Sequence, residues 1–234
     1  VFRKAGKLRE YHIHKNLLQN YQQRTGKDFT PLVQYIEEQE KAAREAYHEF
    51  MPGLKLRKLY QTSDQLHKAI DGIPPKKLNN KLYDFVKSRV DECHGFMFEQ
   101  HYERHLHLIR KYLKHIRFII GQKIGNIHEM FENEIDFKDT KKVEDILGEW
   151  HDRDEFRKLL DEFYNQLDES QKDEISETYQ TYKNEVEKDI QEDVKKLRPE
   201  LIHVFSLMKT FLERHNYTSL SLRVYCKLYH YNWF

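Results

Sequence analysis

Residues 104–118 read Arg-His-Leu-His-Leu-Ile-Arg-Lys-Tyr-Leu-Lys-His-Ile-Arg-Phe, and the spacing within them decides the fold class. Leu106, Leu113, Ile116 and Ile120 recur at steps of three, four and seven, the steps that place side chains on one face of an α-helix. His107, Arg110, Lys114 and Arg117 recur at three, four and three. At about 100° per residue these four fall within an arc of roughly 80° and form a straight row about 15 Å long, read as lying opposite the apolar face. Lys111 stands beside the row. From Arg104 to Lys123 there are six Lys and Arg and no acid.

Working outward, the same helical signature covers the chain. Among 234 residues there are only 8 Gly and 5 Pro, too few for the turns that hairpins need. Charged residues are 34% and apolar residues 38%, which suits helices with one buried stripe and a charged outer face. The 15 Tyr and 14 Phe supply a core despite the polarity, so disorder is not expected. The expectation is an all-α, antiparallel helical bundle, built as two pseudo-symmetric helical halves.

Helices are expected at about 7–24, ending at Gly26, and 30–51, opened by Thr30 as cap with Pro31 behind it. Others are expected at about 54–71, 76–95, 99–120 and 124–134. A break at Gly148 divides 140–147 from 152–167. Asp168 and Ser170 look like caps for 171–196, and Pro199 marks a kink or the first turn of a further helix to 214. Residues 1–214 thus read as a single domain. Residues 215–234 hold an apolar, aromatic stretch that reads equally as a docked helix or a tail.

One short echo recurs. Gly6-Lys7-Leu8-Arg9-Glu10 and Gly148-Glu149-Trp150-His151-Asp152 share the order glycine, any residue, apolar, cationic-capable, acid. Each is read as preceding a helix with a paired leucine, Leu17-Leu18 and Leu159-Leu160. Such self-similarity suggests two halves related by an internal repeat.

The net charge of +1 hides an asymmetry. Residues 1–128 carry 24 Lys and Arg against 14 acids, whereas residues 129–200 carry 12 against 24. An anionic ligand would collect on the basic front. Like charges spaced along one helix face repel, so the row on 107–117 calls for anions, either acids from other helices or an external polyanion. Guanidinium and ammonium groups bind phosphate oxygens through charge-assisted hydrogen bonds, and a row of them can engage successive phosphates. His107 adds a contribution that depends on protonation. Lys55, Arg57, Lys58, Lys76, Lys77 and Lys81 read mainly as solvated surface, able to add positive charge nearby.

The pattern His107-x-x-Arg110-x-x-x-Lys114-x-x-Arg117-Phe118 resembles the signature helix of the CHAD family, the conserved histidine α-helical domain. Ile146-Leu-Gly-Glu-Trp-His-Asp-Arg-Asp154 resembles the family's second element, and Gly6–Glu10 resembles that element in the family's first half. The match covers about residues 1–167. It implies a helical bundle with internal two-fold pseudo-symmetry that binds inorganic polyphosphate in a basic groove. The implied ligand set is His107, Arg110, Lys111, Lys114 and Arg117, with Arg9 and His151 as further candidates. The implied partners are polyphosphate and a triphosphatase or other polyphosphate-metabolising protein, and the implied site of action is the cytoplasm or a polyphosphate granule. The family has two such basic helices. By the spacing of His107 to Gly148, the first would lie upstream of residue 1.

Other chemistries fit less well. No GxSxG, Walker A or GxGxxG motif occurs, so no enzyme is expected. His101 and His105 stand four apart, a spacing that can share a metal, but no HExxH or nearby cysteine pair accompanies them, and neither metal nor cofactor is expected. Cys93 and Cys226 are expected as free, partly buried thiols. No apolar run approaches a membrane span, the segment VFRKAGKLREYHIH has no apolar leader core, and a cytoplasmic location is expected. The alternatives kept open are binding of an RNA backbone, with Tyr112 and Phe118 as contacts, and a helical scaffold whose basic row is paired internally.

Overall fold

In the computed structural model the structure describes residues 2–53, 56–121, 131 and 137–229, with side chains described for 4–53, 57–121, 131 and 138–214. The described residues are helical throughout, as the periodicity requires, with no strand among them. In chain order the helices are α1 (Phe2–Thr25), α2 (Thr30–Phe50), α3 (Leu56–Asp71), α4 (Pro75–Phe96), α5 (Leu106–Gly121), α6 (Phe137–Gln166) and α7 (Glu169–Tyr229). The expected helix at 124–134 lies outside the described residues except for Phe131, which is buried, and Lys55 also lies outside them.

The chain divides into two compact units. Unit 1 comprises residues 1–71 and 148–194, and unit 2 comprises residues 72–147 and 195–234. The chain therefore passes between units at Asp71/Gly72, within α6 at Leu147/Gly148, and within α7 at Val194/Lys195. Both segments of the glycine-led echo fall in unit 1, on α1 and α6.

Unit 1 is held by aromatic packing. Tyr11, Leu18 and Tyr21 of α1, Phe29 at the turn, Leu32 and Ile36 of α2, Phe156, Leu160 and Phe163 of α6, and Tyr182 and Val186 of α7 form one buried cluster. Each such side chain stabilises by about 1.5–3 kcal/mol relative to exposure. The pairs Lys15–Glu40 and Lys4–Ala46 set α1 antiparallel to α2. Asp161–Lys183 and Arg153–Asp193 do the same for α6 and α7 within this unit. Gly26, at φ 66°, lets the chain leave α1 in the left-handed conformation, its N–H donating to the Gln22 carbonyl at 2.9 Å.

Unit 2 packs α4 and α5 antiparallel, as shown by the ring pairs Phe96–His105 and Phe85–His115. Val86, Val90, Leu106, Ile109, Leu113, Val143, Leu201 and Phe205 are buried there. Arg198 donates to the Met97 carbonyl at 3.1 Å and lies over the Tyr102 ring. Cys93 is buried, and desolvation pushes its thiol up to about 12. Only the thiolate reacts readily. Peptide mapping after iodoacetamide treatment at pH 8 should find Cys93 unlabelled in the native chain and labelled in denaturant; rapid native labelling would show the opposite.

Four boundaries differ from expectation. Gly148 does not break a helix: α6 runs through it, because Leu147 and Trp150 are buried on either side. An interior glycine costs only about 1 kcal/mol. Gly6 likewise lies inside α1 rather than before a helix. Pro199 lies inside the continuous α7. It removes one i→i−4 bond, a cost of about 3 kcal/mol, while Leu197, Leu201, Val204 and Phe205 keep burying the same face. The helix expected from 99 begins only at Leu106, after a 3₁₀ turn over Tyr102–His105.

At the caps, Thr30 is the first residue of α2 rather than its cap, which is Phe29. Asp168 caps α7 as read. Its carboxylate accepts the Gln171 N–H at 2.9 Å while Gln171 Oε1 accepts the Asp168 N–H at 3.1 Å, a reciprocal capping box. The stretch from 215 continues as α7 to Tyr229, and residues 230–234 lie outside the described residues.

Candidate anion-binding helix

α5 forms because Leu106, Ile109, Leu113, Ile116 and Ile120 repeat at three and four residues and are all buried. That repeat fixes the rotation of the helix, so the direction of every other side chain follows. The cationic row flanks the buried face rather than opposing it. Arg110 and Arg117 stand next to the apolar edge and are half-buried, whereas His107, Lys111 and Lys114 are exposed. Phe118 projects on the same side and is 63% exposed.

One member of the row is tied to an acid of another helix. Arg117 forms an ion pair with Glu144 of α6, within unit 2. The sequence allowed for an internal acid but could not select this one, because Arg117 and Glu144 lie on different helices, far apart in the chain.

The α4 side of α5 has a different chemistry. The Arg89 guanidinium lies 4.7 Å from the centroids of both the Phe85 and Tyr112 rings. The Tyr112 hydroxyl donates to Glu92 at 3.2 Å. Tyr112 is therefore committed to α4 and stands on the flank away from the row, so it does not join Phe118 as a stacking surface. Arg89 was not singled out by the sequence. Its signal is an arginine four residues after Phe85, the spacing that lays a guanidinium over a ring on one helix.

Of the expected ligand residues, five lie on α5 in unit 2, and Arg9 (α1, exposed) and His151 (α6, half-buried) lie in unit 1. His151 Nδ1 is 4.0 Å from Glu155 one turn on. The His101/His105 pair does not share a helix. His101 precedes the 3₁₀ turn and faces Glu103 at 3.2 Å, while His105 engages Glu99 at 2.8 Å and stacks on Phe96. The i, i+4 geometry that would join them on a metal is thus not present.

Unit 1 contains a further arginine pair, around an open hollow of about 380 Å³ lined by Tyr21, Arg24, Arg153 and Asp189. Its charges are matched within the fold. Arg24 reaches Asp189 and Glu185 at 2.5 Å each, and Arg153 pairs with Asp193. Burial raises the Asp189 carboxyl, but hydrogen bonds from Arg24 and Tyr21 outweigh it and hold it below the usual carboxylate range. With these acids in place the hollow offers an anion no net positive field.

No helix among the described residues is long and apolar enough to cross a membrane. No protein-family model, curated protein or solved structure matches the chain.

Proposed function

We propose that this protein is a binding module for a linear polyanion, with inorganic polyphosphate as the ligand, held along α5 and acting without catalysis. The observation that carries the reading is the row of His107, Arg110, Lys111, Lys114 and Arg117 on one side of α5, with three of the five exposed. Cations one helical turn apart suit a ligand whose charges repeat along a chain, and a flexible anion can follow the row at little cost in strain. Arg117 and Arg110, half-buried at the apolar edge, are the better-oriented members, and the three exposed residues supply charge.

RNA is the second reading, favoured by the exposed Phe118 beside the row, since an aromatic ring offers bases a stacking surface. The ion pair of Arg117 with Glu144 supports the third, a scaffold with its row paired inside the fold.

The test is a titration with long-chain polyphosphate over a salt series, comparing the natural chain with Arg110→Ala/Lys114→Ala/Arg117→Ala. Binding should weaken at least tenfold in the variant, and the slope of log affinity against log salt should become shallower by about two. Single-stranded RNA of equal charge should fail to displace polyphosphate. Displacement by RNA, with loss of RNA binding in Phe118→Ala, would favour the second reading. Equal binding by both chains, or none by either, removes α5 as the site.

A further inference from the structure

The acids at the unit 2 end of α6 divide their partners. Asp145 pairs with Lys141, one turn back on the same helix, and Asp139 lies 3.9 Å from His203 of α7. Glu144 turns instead to α5 and pairs with Arg117. The residues three and four away from Arg117 on its own helix are Leu113, Lys114, Ile120 and Gly121, so no acid of α5 can serve it. Those around Glu144 are Thr140, Lys141, Leu147 and Gly148, and the one cation among them is engaged by Asp145. The pair is therefore made by packing between two helices of one unit. Its side chains keep 33% exposure at Arg117 and 20% at Glu144.

A row of cations at three- and four-residue steps carries a repulsion that an anion relieves. At the Arg117 end, the Glu144 carboxylate supplies that anion from within the fold. Carboxylate and phosphate oxygens make the same demand on a guanidinium, charge-assisted hydrogen bonds from its planar fork. A ligand phosphate at Arg117 must therefore displace the carboxylate or sit against its charge. We infer that Glu144 sets the affinity of the α5 site, as an internal competitor that holds Arg117 in place of a ligand phosphate. This rests on the reading of α5 as the polyanion site. Because Glu144 reaches solvent, water can hydrate the displaced carboxylate, which keeps the exchange cheaper than for a fully buried acid. Glu144 also holds the Arg117 fork in place, which by itself would spare a ligand some side-chain entropy. The negative charge outweighs that gain, because it opposes an approaching phosphate however the fork is oriented.

The test is a titration with long-chain polyphosphate over a salt series, on the full natural chain, Glu144→Gln and Asp145→Asn. Glutamine keeps the size of the side chain and removes its charge. Asp145→Asn makes the same change in net charge one residue away, without releasing Arg117. Glu144→Gln should bind about fivefold tighter, with a slope of log affinity against log salt steeper by about 0.7–0.9, the share of one more phosphate contact. Asp145→Asn should change affinity by less than about twofold. In an Arg117→Ala background, Glu144→Gln should also change it by less than about twofold, since no guanidinium is then released. Equal gains in Glu144→Gln and Asp145→Asn, or a gain that persists without Arg117, overturn the inference and leave the polyanion reading standing. Weaker binding in Glu144→Gln overturns it too, and makes Glu144 a residue that positions the guanidinium for the ligand. No binding by the natural chain or by Glu144→Gln removes the polyanion reading, and the inference with it.

Discussion

Arg153→Met is expected to lower the stability of unit 1 by about 3–5 kcal/mol, the cost of removing one partner from a buried ion pair. Arg153 exposes 22% of its side chain and pairs with Asp193, which exposes 7%. Its Nε also stands 4.0 Å from Asp189, and Glu149 accepts from it at 3.4 Å. Methionine fills similar volume but leaves Asp193 buried without its guanidinium. The loss should fall in the urea transition that reports unit 1, so the two units are followed by separate probes rather than by one global fit. Adding Asp193→Leu should recover most of the loss, because an apolar pair of similar volume replaces a buried ion pair at little net cost. A loss below 1 kcal/mol in the single variant, or no recovery in the double, would show that water solvates the pair.

That network also marks how far the sequence could be read. The class of fold was legible because buried positions repeat at helical spacing, as Leu106, Leu113, Ile116 and Ile120 do on α5. The cap at Asp168 was legible because a capping box is local in sequence. Gly148 misled, and of the two readings of Pro199 the first turn of a new helix failed, because breaker rules weigh a residue against its neighbours in the chain, whereas α6 and α7 are held by packing on both sides of those residues. The start of α5 was misplaced because nothing in residues 99–105 distinguishes a 3₁₀ turn by composition. In the candidate site, the row itself was visible from spacing. Its position beside the buried face, rather than opposite it, was already set by that spacing, because Leu106, Leu113, Ile116 and Ile120 centre roughly 95° from the row at about 100° per residue. The partner Glu144 and the withdrawal of Tyr112 to Glu92 depend on contacts distant in sequence, and so were not legible.

A second large effect is expected from His14 as pH falls. Its imidazole is 1% exposed between the rings of Tyr11 and Phe156, and neither ring nitrogen has a hydrogen-bond partner among the described residues. Burial, helped by the Lys7 ammonium and opposed by Glu155, lowers its pKa to about 4. The folded pKa lies below the unfolded value of 6.5, so between these limits the unfolded chain binds a proton that the folded chain refuses. Stability contributed by the neutral ring is therefore complete above about pH 6.5 and is lost as pH falls toward 4, with a ceiling of roughly 3 kcal/mol at 1.36 kcal/mol per unit. Carboxylates held low by ion pairs, such as Asp154 at about 2, lose their contribution at lower pH, and His94, also lowered by burial, titrates in both chains alike and cancels in their difference. His14→Phe keeps an aromatic ring and removes both unpartnered nitrogens. It should match or exceed the natural chain at pH 7 by about 1 kcal/mol. The informative measurement is the difference between the two chains in urea unfolding free energy at pH 7, 6, 5 and 4.5. The gap should widen steadily in favour of the variant as pH falls, because only the natural chain must force a proton off, or a charge into, the core. A gap that stays constant across that range means the ring reaches solvent in the folded chain, and burial then exerts no hold on its titration.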